Sequence, residues 1–191
     1  SVLRAATMFS IFAICENLNR RSNIYNLMAA SALILLLINP NNLFDIGFQL
    51  SYTAVFGIVF LQPKLEKLIS VRNKILKFFW MLVTVSLAAQ IATFPITSYY
   101  FGQFPTYFWL TNTFIIPSVM ALIPLGILLL FVSTIPVIST ILAFLLNHIL
   151  KITYFLLSSV YQLPFSVFNM SVEPYQFIFL IAVVGFAFVY L

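Results

Sequence analysis

The sequence predicts an all-α fold, a polytopic helical integral membrane domain with about six or seven membrane segments, some broken by proline. Three observations carry that prediction. The 191 residues are 63% hydrophobic and only 7% charged, whereas soluble domains carry roughly 25% charged residues. The mean hydropathy is +1.10. The apolar runs are long and unbroken rather than the ~10-residue alternating segments of a membrane barrel. A chain with so little charge cannot cover a water-facing surface. The whole of 1–191 reads as a single transmembrane domain. Ser1 is not a start methionine, so the chain is expected to be a piece of a longer protein.

The charge balance is +5, and the basic residues cluster. Arg20 and Arg21 stand together, and Lys64, Lys67, Arg72, Lys74 and Lys77 fill one stretch. Basic loops between apolar segments favour the cytoplasmic side. Loops 19–23 and 62–77 are therefore expected in the cytoplasm. The two apolar segments between them make one excursion out and back. Alternation of Leu65, Leu68, Ile69 and Ile75 with lysines allows the second loop to lie on the membrane as a short amphipathic helix. The single Cys15 has no internal disulfide partner and reads as helix filler.

Residues 1–18 read as a helix, with Arg4, Met8, Ile11 and Cys15 on one face. Arg4 is either buried in the membrane or snorkels to the far interface. Residues 24–38 form an apolar helix that Asn39-Pro40 stops, because a residue before proline disfavours the helical well. Asn41 or Asn42 is placed to cap the next helix, from about Leu43 to Leu61. On it Asp45, Gln49 and Tyr52 fall within about 60° of one another. Gly47, Ser51 and Ala54 lie opposite, a small-residue side that lets another helix approach. Asp45 and Gln49 cannot face lipid unsatisfied. They either line a wet interior, or Asp45 caps its helix and Gln49 bonds a nearby carbonyl. Gln62-Pro63 is expected to end this helix.

Residues 78–101 span next, with Ser86, Gln90, Thr93 and Thr97 in one stripe that Pro95 interrupts. That stripe is either interhelical glue or a polar lining. Gly102–Pro105 is an outer turn within an aromatic belt of Tyr99, Tyr100, Tyr107 and Trp109. Residues 107–132 return, and Pro117, Pro124 and Gly126 suggest two half-helices whose free ends line a cavity, with Asn112 just ahead. After Ile135-Pro136, residues 138–162 run out again. Asn147, Lys151, Tyr154 and Ser158 share a face there, with His148 beside it. A lysine in mid-span is a functional candidate, unless the boundary is displaced and it sits at an interface. His148 reads as a hydrogen-bonded interior residue. A loop at 163–173 precedes a last helix opened by Pro174.

Several chemistries are excluded. One histidine and one cysteine do not make a zinc centre. No phosphate-binding glycine loop, GxGxxG fingerprint or nucleophile elbow is present. No cofactor is expected, and nothing in the spacing supports catalysis.

The stretch Leu43-Phe44-Asp45-Ile46-Gly47-Phe48-Gln49-Leu50-Ser51, with Asn39-Pro40 before it and Ser1-Val2-Leu3-Arg4-Ala5 at the start, resembles the competence domain of ComEC-type DNA uptake proteins. Ala88–Pro95, Tyr99-Tyr100-Phe101, then Asn112, Pro117 and Pro124, then Leu163–Ser166, are similar to later segments of that family, in order. The resemblance covers nearly the whole chain. It implies a channel in the bacterial cytoplasmic (inner) membrane that passes single-stranded DNA into the cytoplasm during natural transformation. Its partners would be that DNA, the lipid bilayer, other competence proteins and other domains of the full protein. Those are further upstream helices, an oligonucleotide-binding-like domain and a metallo-β-lactamase-like nuclease domain, all expected outside this chain. No enzyme activity is then expected here. The structural positions of the family motif are Pro40, Asp45, Gly47, Ser51, Pro95, Pro117 and Pro124.

A path for a phosphate backbone needs polar groups and scattered positive charge too weak to trap the strand. Arg4, Asn39, Gln49, Gln90, Asn112 and Lys151 are the candidates to line it. Lys151 matches no family position, so its candidacy rests on spacing. Asp45 repels phosphate and is expected to cap its helix or pair with a buried cation such as Arg4. Two alternatives remain: a small-solute or ion transporter, and a non-conducting scaffold for the missing domains.

Overall fold

The computed structural model describes residues 2–17, 23–170 and 172–190. The basic pair Arg20 and Arg21 lies outside them. Among the described residues the helices are α1 (Val2–Asn17), α2 (Ile24–Ile38), α3 (Ile46–Glu66), α4 (Lys74–Phe101), α5 (Phe108–Val132), α6 (Pro136–Tyr161) and α7 (Pro174–Tyr190). A 3-10 turn, Pro40–Phe44, joins α2 to α3. The short strands β1 (Gln103–Pro105) and β2 (Val167–Asn169) pair in a two-stranded sheet that the apolar pattern did not announce. The all-α membrane fold is as predicted. Four helices, α3 to α6, are long and apolar enough to cross a membrane, while α1, α2 and α7 are apolar but shorter.

Pro63, Pro95, Pro117 and Pro124 do not cut their helices. Pro63 lies inside α3, which runs on to Glu66. Pro95 lies inside α4, and α5 passes through both Pro117 and Pro124 as one helix of 25 residues rather than two half-helices. Each proline removes one backbone bond, and the flanking turns hold. Serine and threonine side chains beside them bond backwards to their own helix, as Thr97 Oγ1 does to the Thr93 carbonyl at 3.0 Å and Ser118 Oγ to the Phe114 carbonyl at 2.8 Å. The basic stretch 62–77 is divided between the end of α3, an irregular link at 67–73 and the first turn of α4.

The chain forms two compact units. The first comprises residues 1–70, 87–104 and 169–191. In it α1 packs on α2, and α2 packs on α3 through the intervening turn. Leu27, Leu35, Phe48, Leu61, Ala88 and Ala92 are its buried apolar residues. The Ser31 and Tyr52 hydroxyls meet at 3.0 Å between α2 and α3. Two helices approach closely at Gly57, where an added Cβ would stand 2.2 Å from the Ala92 Cβ and 2.8 Å from the Ala88 carbonyl oxygen. This is the small-residue contact expected of α3, but it falls at Gly57 against α4. Gly47 instead faces the Arg4 guanidinium.

The second unit comprises residues 71–86 and 105–168. It is dominated by the α5–α6 hairpin, closed by the Ile135 N–H to the Val132 carbonyl at 3.0 Å. Thr113 and Leu142 are buried in it.

Candidate functional site

The residues of the 39–51 stretch form the entrance to α3. Asn39 ends α2: its N–H reaches the Leu35 carbonyl at 3.0 Å, and its side chain accepts from the Asn41 N–H at 3.1 Å. Pro40 follows at the first position of the 3-10 turn, where a missing N–H costs nothing. Asn42 Nδ2 donates to the same Leu35 carbonyl at 3.1 Å. Both donors thus serve the Leu35 carbonyl, one of those that a helix end leaves open.

Asp45, not Asn41 or Asn42, caps α3. Its carboxylate accepts from the Gly47 N–H at 3.3 Å and the Phe48 N–H at 3.1 Å. It also accepts from Arg4 Nη1 of α1 at 2.6 Å. The cap and the ion pair foreseen as alternatives are thus both present. The Arg4 side chain is largely buried at 17% exposure, against 52% for Asp45. The hydrogen bond from Arg4 holds the Asp45 carboxyl below its ordinary range, helped by the two backbone N–H groups and the Arg4 charge. Asp45 immediately precedes the span and is not inside it. A Cβ at Gly47 would lie 2.7 Å from Arg4 Nη2, so a larger residue there would push the guanidinium from its seat beside Asp45. Arg4 is therefore packed inward, and its charge is answered by Asp45.

Gln49 donates to the Leu43 carbonyl at 3.0 Å, and Ser51 to the Phe48 carbonyl at 3.0 Å. So Arg4 is brought to Asp45, while Asn39 and Gln49 bond backbone groups a few residues away. Gln90, in α4 of the same unit, is buried at 8% exposure. Along its stripe Thr93 bonds the Ala89 carbonyl at 2.8 Å. That contact is within the helix, not between helices. The Ser86 hydroxyl, like that of Ser98, meets no partner among the described residues.

In the second unit Asn112 lines a groove of about 240 Å³ between α5 and α6 with Tyr107, Phe108, Thr111 and Tyr161. Lys151 lies near the middle of α6, exposed, with no hydrogen bond or ion pair to any described residue. Asn147 and Tyr154 on the same face are also exposed. The face is thus turned away from the packing within its own unit. His148 is exposed rather than interior, and its Nδ1 meets the Phe144 carbonyl at 3.0 Å.

Two features escaped the sequence reading. Gly57 was not marked, although Ala88 and Ala92, four apart on α4, carry the small-xxx-small signal for close approach. The Lys64 ammonium, read only as part of a basic loop, lies 3.6 Å from the centroid of the Phe60 ring.

Comparison with known proteins agrees with the motif. ComE operon protein 3 of Bacillus subtilis (strain 168) is 34% identical over 104 residues, which is 54% of this chain and 12% of that relative's length. No solved structure matches the chain. The family described as Competence protein matches residues 1–191. With that match over its full length, and the α3 entrance built from the motif residues, the chain belongs to the Competence protein family.

Proposed function

We propose that this chain is the core of a channel in the bacterial inner membrane that passes single-stranded DNA into the cytoplasm during natural transformation. Family membership supports a role in DNA uptake, and four span-length helices support a membrane location. The observation that carries the channel reading is Lys151. A lysine facing lipid at mid-span costs roughly 2.5–3.5 kcal/mol. An exposed Lys151 beside exposed Asn147 and Tyr154 therefore calls for a polar surrounding. A hydrated path carrying phosphates supplies one. A single cation attracts a phosphate without trapping the strand.

The other proposed path residues divide by environment. Asn112 lines the groove of the second unit, and in this proposal it offers its amide to the strand. Gln90 is buried within the first unit, and its place in the proposal rests on its residue type alone. Arg4, Asn39 and Gln49 are engaged locally and shape the path by fixing the entrance of α3. In this reading the chain carries no catalysis, and nuclease chemistry belongs to a separate domain. Such domains and other competence proteins are its partners.

Single-channel recording on the full-length protein in bilayers tests this. Current that an added single-stranded oligonucleotide blocks is expected, with weaker block in Lys151→Ala. Flux coupled to a small solute would favour a transporter, and absence of conductance a scaffold. In cells, Arg4→Ala is expected to abolish transformation while the protein still inserts. Unchanged uptake would remove Arg4 from the working structure.

A further inference from the structure

The first unit carries an apolar groove of about 460 Å³ between α3, the second half of α4 and α7. Thr53, Phe56, Pro95, Ile181, Gly185 and Phe188 are among its walls. An added Cβ at Gly185 would meet nothing within 4 Å, so the groove is open where α7 borders it. One wall continues as stacked rings. Phe188 lies 5.5 Å from Phe56 and 4.9 Å from Phe60, centroid to centroid. The Lys64 ammonium stands over Phe60 at 3.6 Å. Beyond the groove, this aromatic wall therefore ends at a cation.

The dimensions identify the occupant. Three turns of α3 separate Thr53 from Lys64, about 16 Å at the helical rise. Half of a ~30 Å hydrocarbon core is about the same length. The run from the groove at Thr53 to Lys64 thus matches the depth of one leaflet, with Lys64 at its polar edge. Lys67 and Arg72 follow within the next residues. Basic loops favour the cytoplasmic side, where anionic lipid concentrates.

We infer that this groove holds one acyl chain of an anionic phospholipid, with the headgroup phosphate at Lys64. The stack of Phe56, Phe60 and Phe188 forms the chain's wall. The cation selects the headgroup. This site is independent of the path proposed for DNA, because Lys64 and Phe188 belong to no candidate lining. A bound lipid here would wedge α7 against α3 and α4 and complete their packing.

The test uses the full chain reconstituted in phosphatidylcholine bilayers, with a trace of chain-spin-labelled phosphatidylglycerol or phosphatidylcholine. Electron paramagnetic resonance reads the motionally restricted label. The native chain is expected to retain phosphatidylglycerol about fivefold more strongly than phosphatidylcholine, the effect of one lysine at a membrane surface. Gly185→Leu fills the open side and removes the selectively restricted component. Lys64→Gln leaves chain restriction in place and brings the two lipids to parity. Equal retention of both labels by the native chain overturns the inference. So does a fivefold preference that survives Lys64→Gln. Selective restriction that vanishes at one protein per nanodisc assigns the groove to a second copy and overturns it as well.

Discussion

Gly57→Ala probes the packing that holds α3 against α4. The added methyl carbon would sit 2.2 Å from the Ala92 Cβ and 2.8 Å from the Ala88 carbonyl oxygen. Carbon atoms pack at about 3.5–4.0 Å, so the overlap with Ala92 exceeds ~1 Å. The second obstacle is backbone and cannot rotate aside. Overpacking of this kind costs about 1–3 kcal/mol, and a rigid neighbour places it at the top of that range. Against it, alanine gains about 1 kcal/mol over glycine in a helix interior. The clash wins, leaving about 2 kcal/mol of destabilisation, or about a 30-fold fall in the folded ratio. Reversible unfolding in detergent micelles measures this. Gly126→Ala is the companion: nothing lies within 4 Å of its added Cβ, so only the propensity gain of up to about 1 kcal/mol is expected. Adding Ala92→Gly to Gly57→Ala should recover part of the loss, because the Ala88 carbonyl remains in the way. If Gly57→Ala and Gly126→Ala behave alike, helix proximity at Gly57 is not what the geometry implies.

Three further outcomes are expected. The folded Asp45 carboxyl ionises below its unfolded value, so its contribution is complete above the ordinary carboxylate pKa of about 3.9 and disappears as pH falls through the folded value. Acidification below about pH 4 should loosen α1 from the start of α3, and Asp45→Asn should flatten that pH dependence when unfolding is followed across pH 3–7. Gly102 closes α4 at a φ of 62°, with its N–H on the Ser98 carbonyl at 3.1 Å; Gly102→Ala should cost about 1–2 kcal/mol in the unfolding measurement. Phe165 adopts a φ of 61° with its side chain 79% exposed, so Phe165→Gly should stabilise the loop by about 1 kcal/mol, and a destabilised variant would show that the ring is held by something else.

Reading the residues alone succeeded where the physics is local. Asn39-Pro40 ends α2 because proline restricts its predecessor. Asp45 caps α3 because its carboxylate reaches the N–H groups two and three residues on. Its pairing with Arg4 also followed, since a buried cation in so apolar a chain needs an anion. Reading failed where a residue has two local outcomes. Proline removes one hydrogen bond and can kink or end a helix, and in α5 neighbouring turns carry the helix through Pro117 and Pro124. Small residues permit close approach at Gly47 and at Gly57 alike. Only the fold decides that a guanidinium meets the first and a helix meets the second.

Composition by itself determined that this chain lives in a membrane as helices, because 7% charge cannot clothe a soluble surface and backbone polar groups in lipid must pair within their own segment. The segments from Ser1–Ala5 to Leu163–Ser166, with 39–51 the most specific, carried the resemblance to the family that matches residues 1–191. Tertiary structure alone decided which polar side chains are already satisfied. Gln49 and the threonines of α4 turn to carbonyls of the chain beside them, whereas Lys151 finds none among the described residues. Periodicity gives the direction in which a side chain leaves its helix, but a hydrogen bond depends on what stands at the end of that direction.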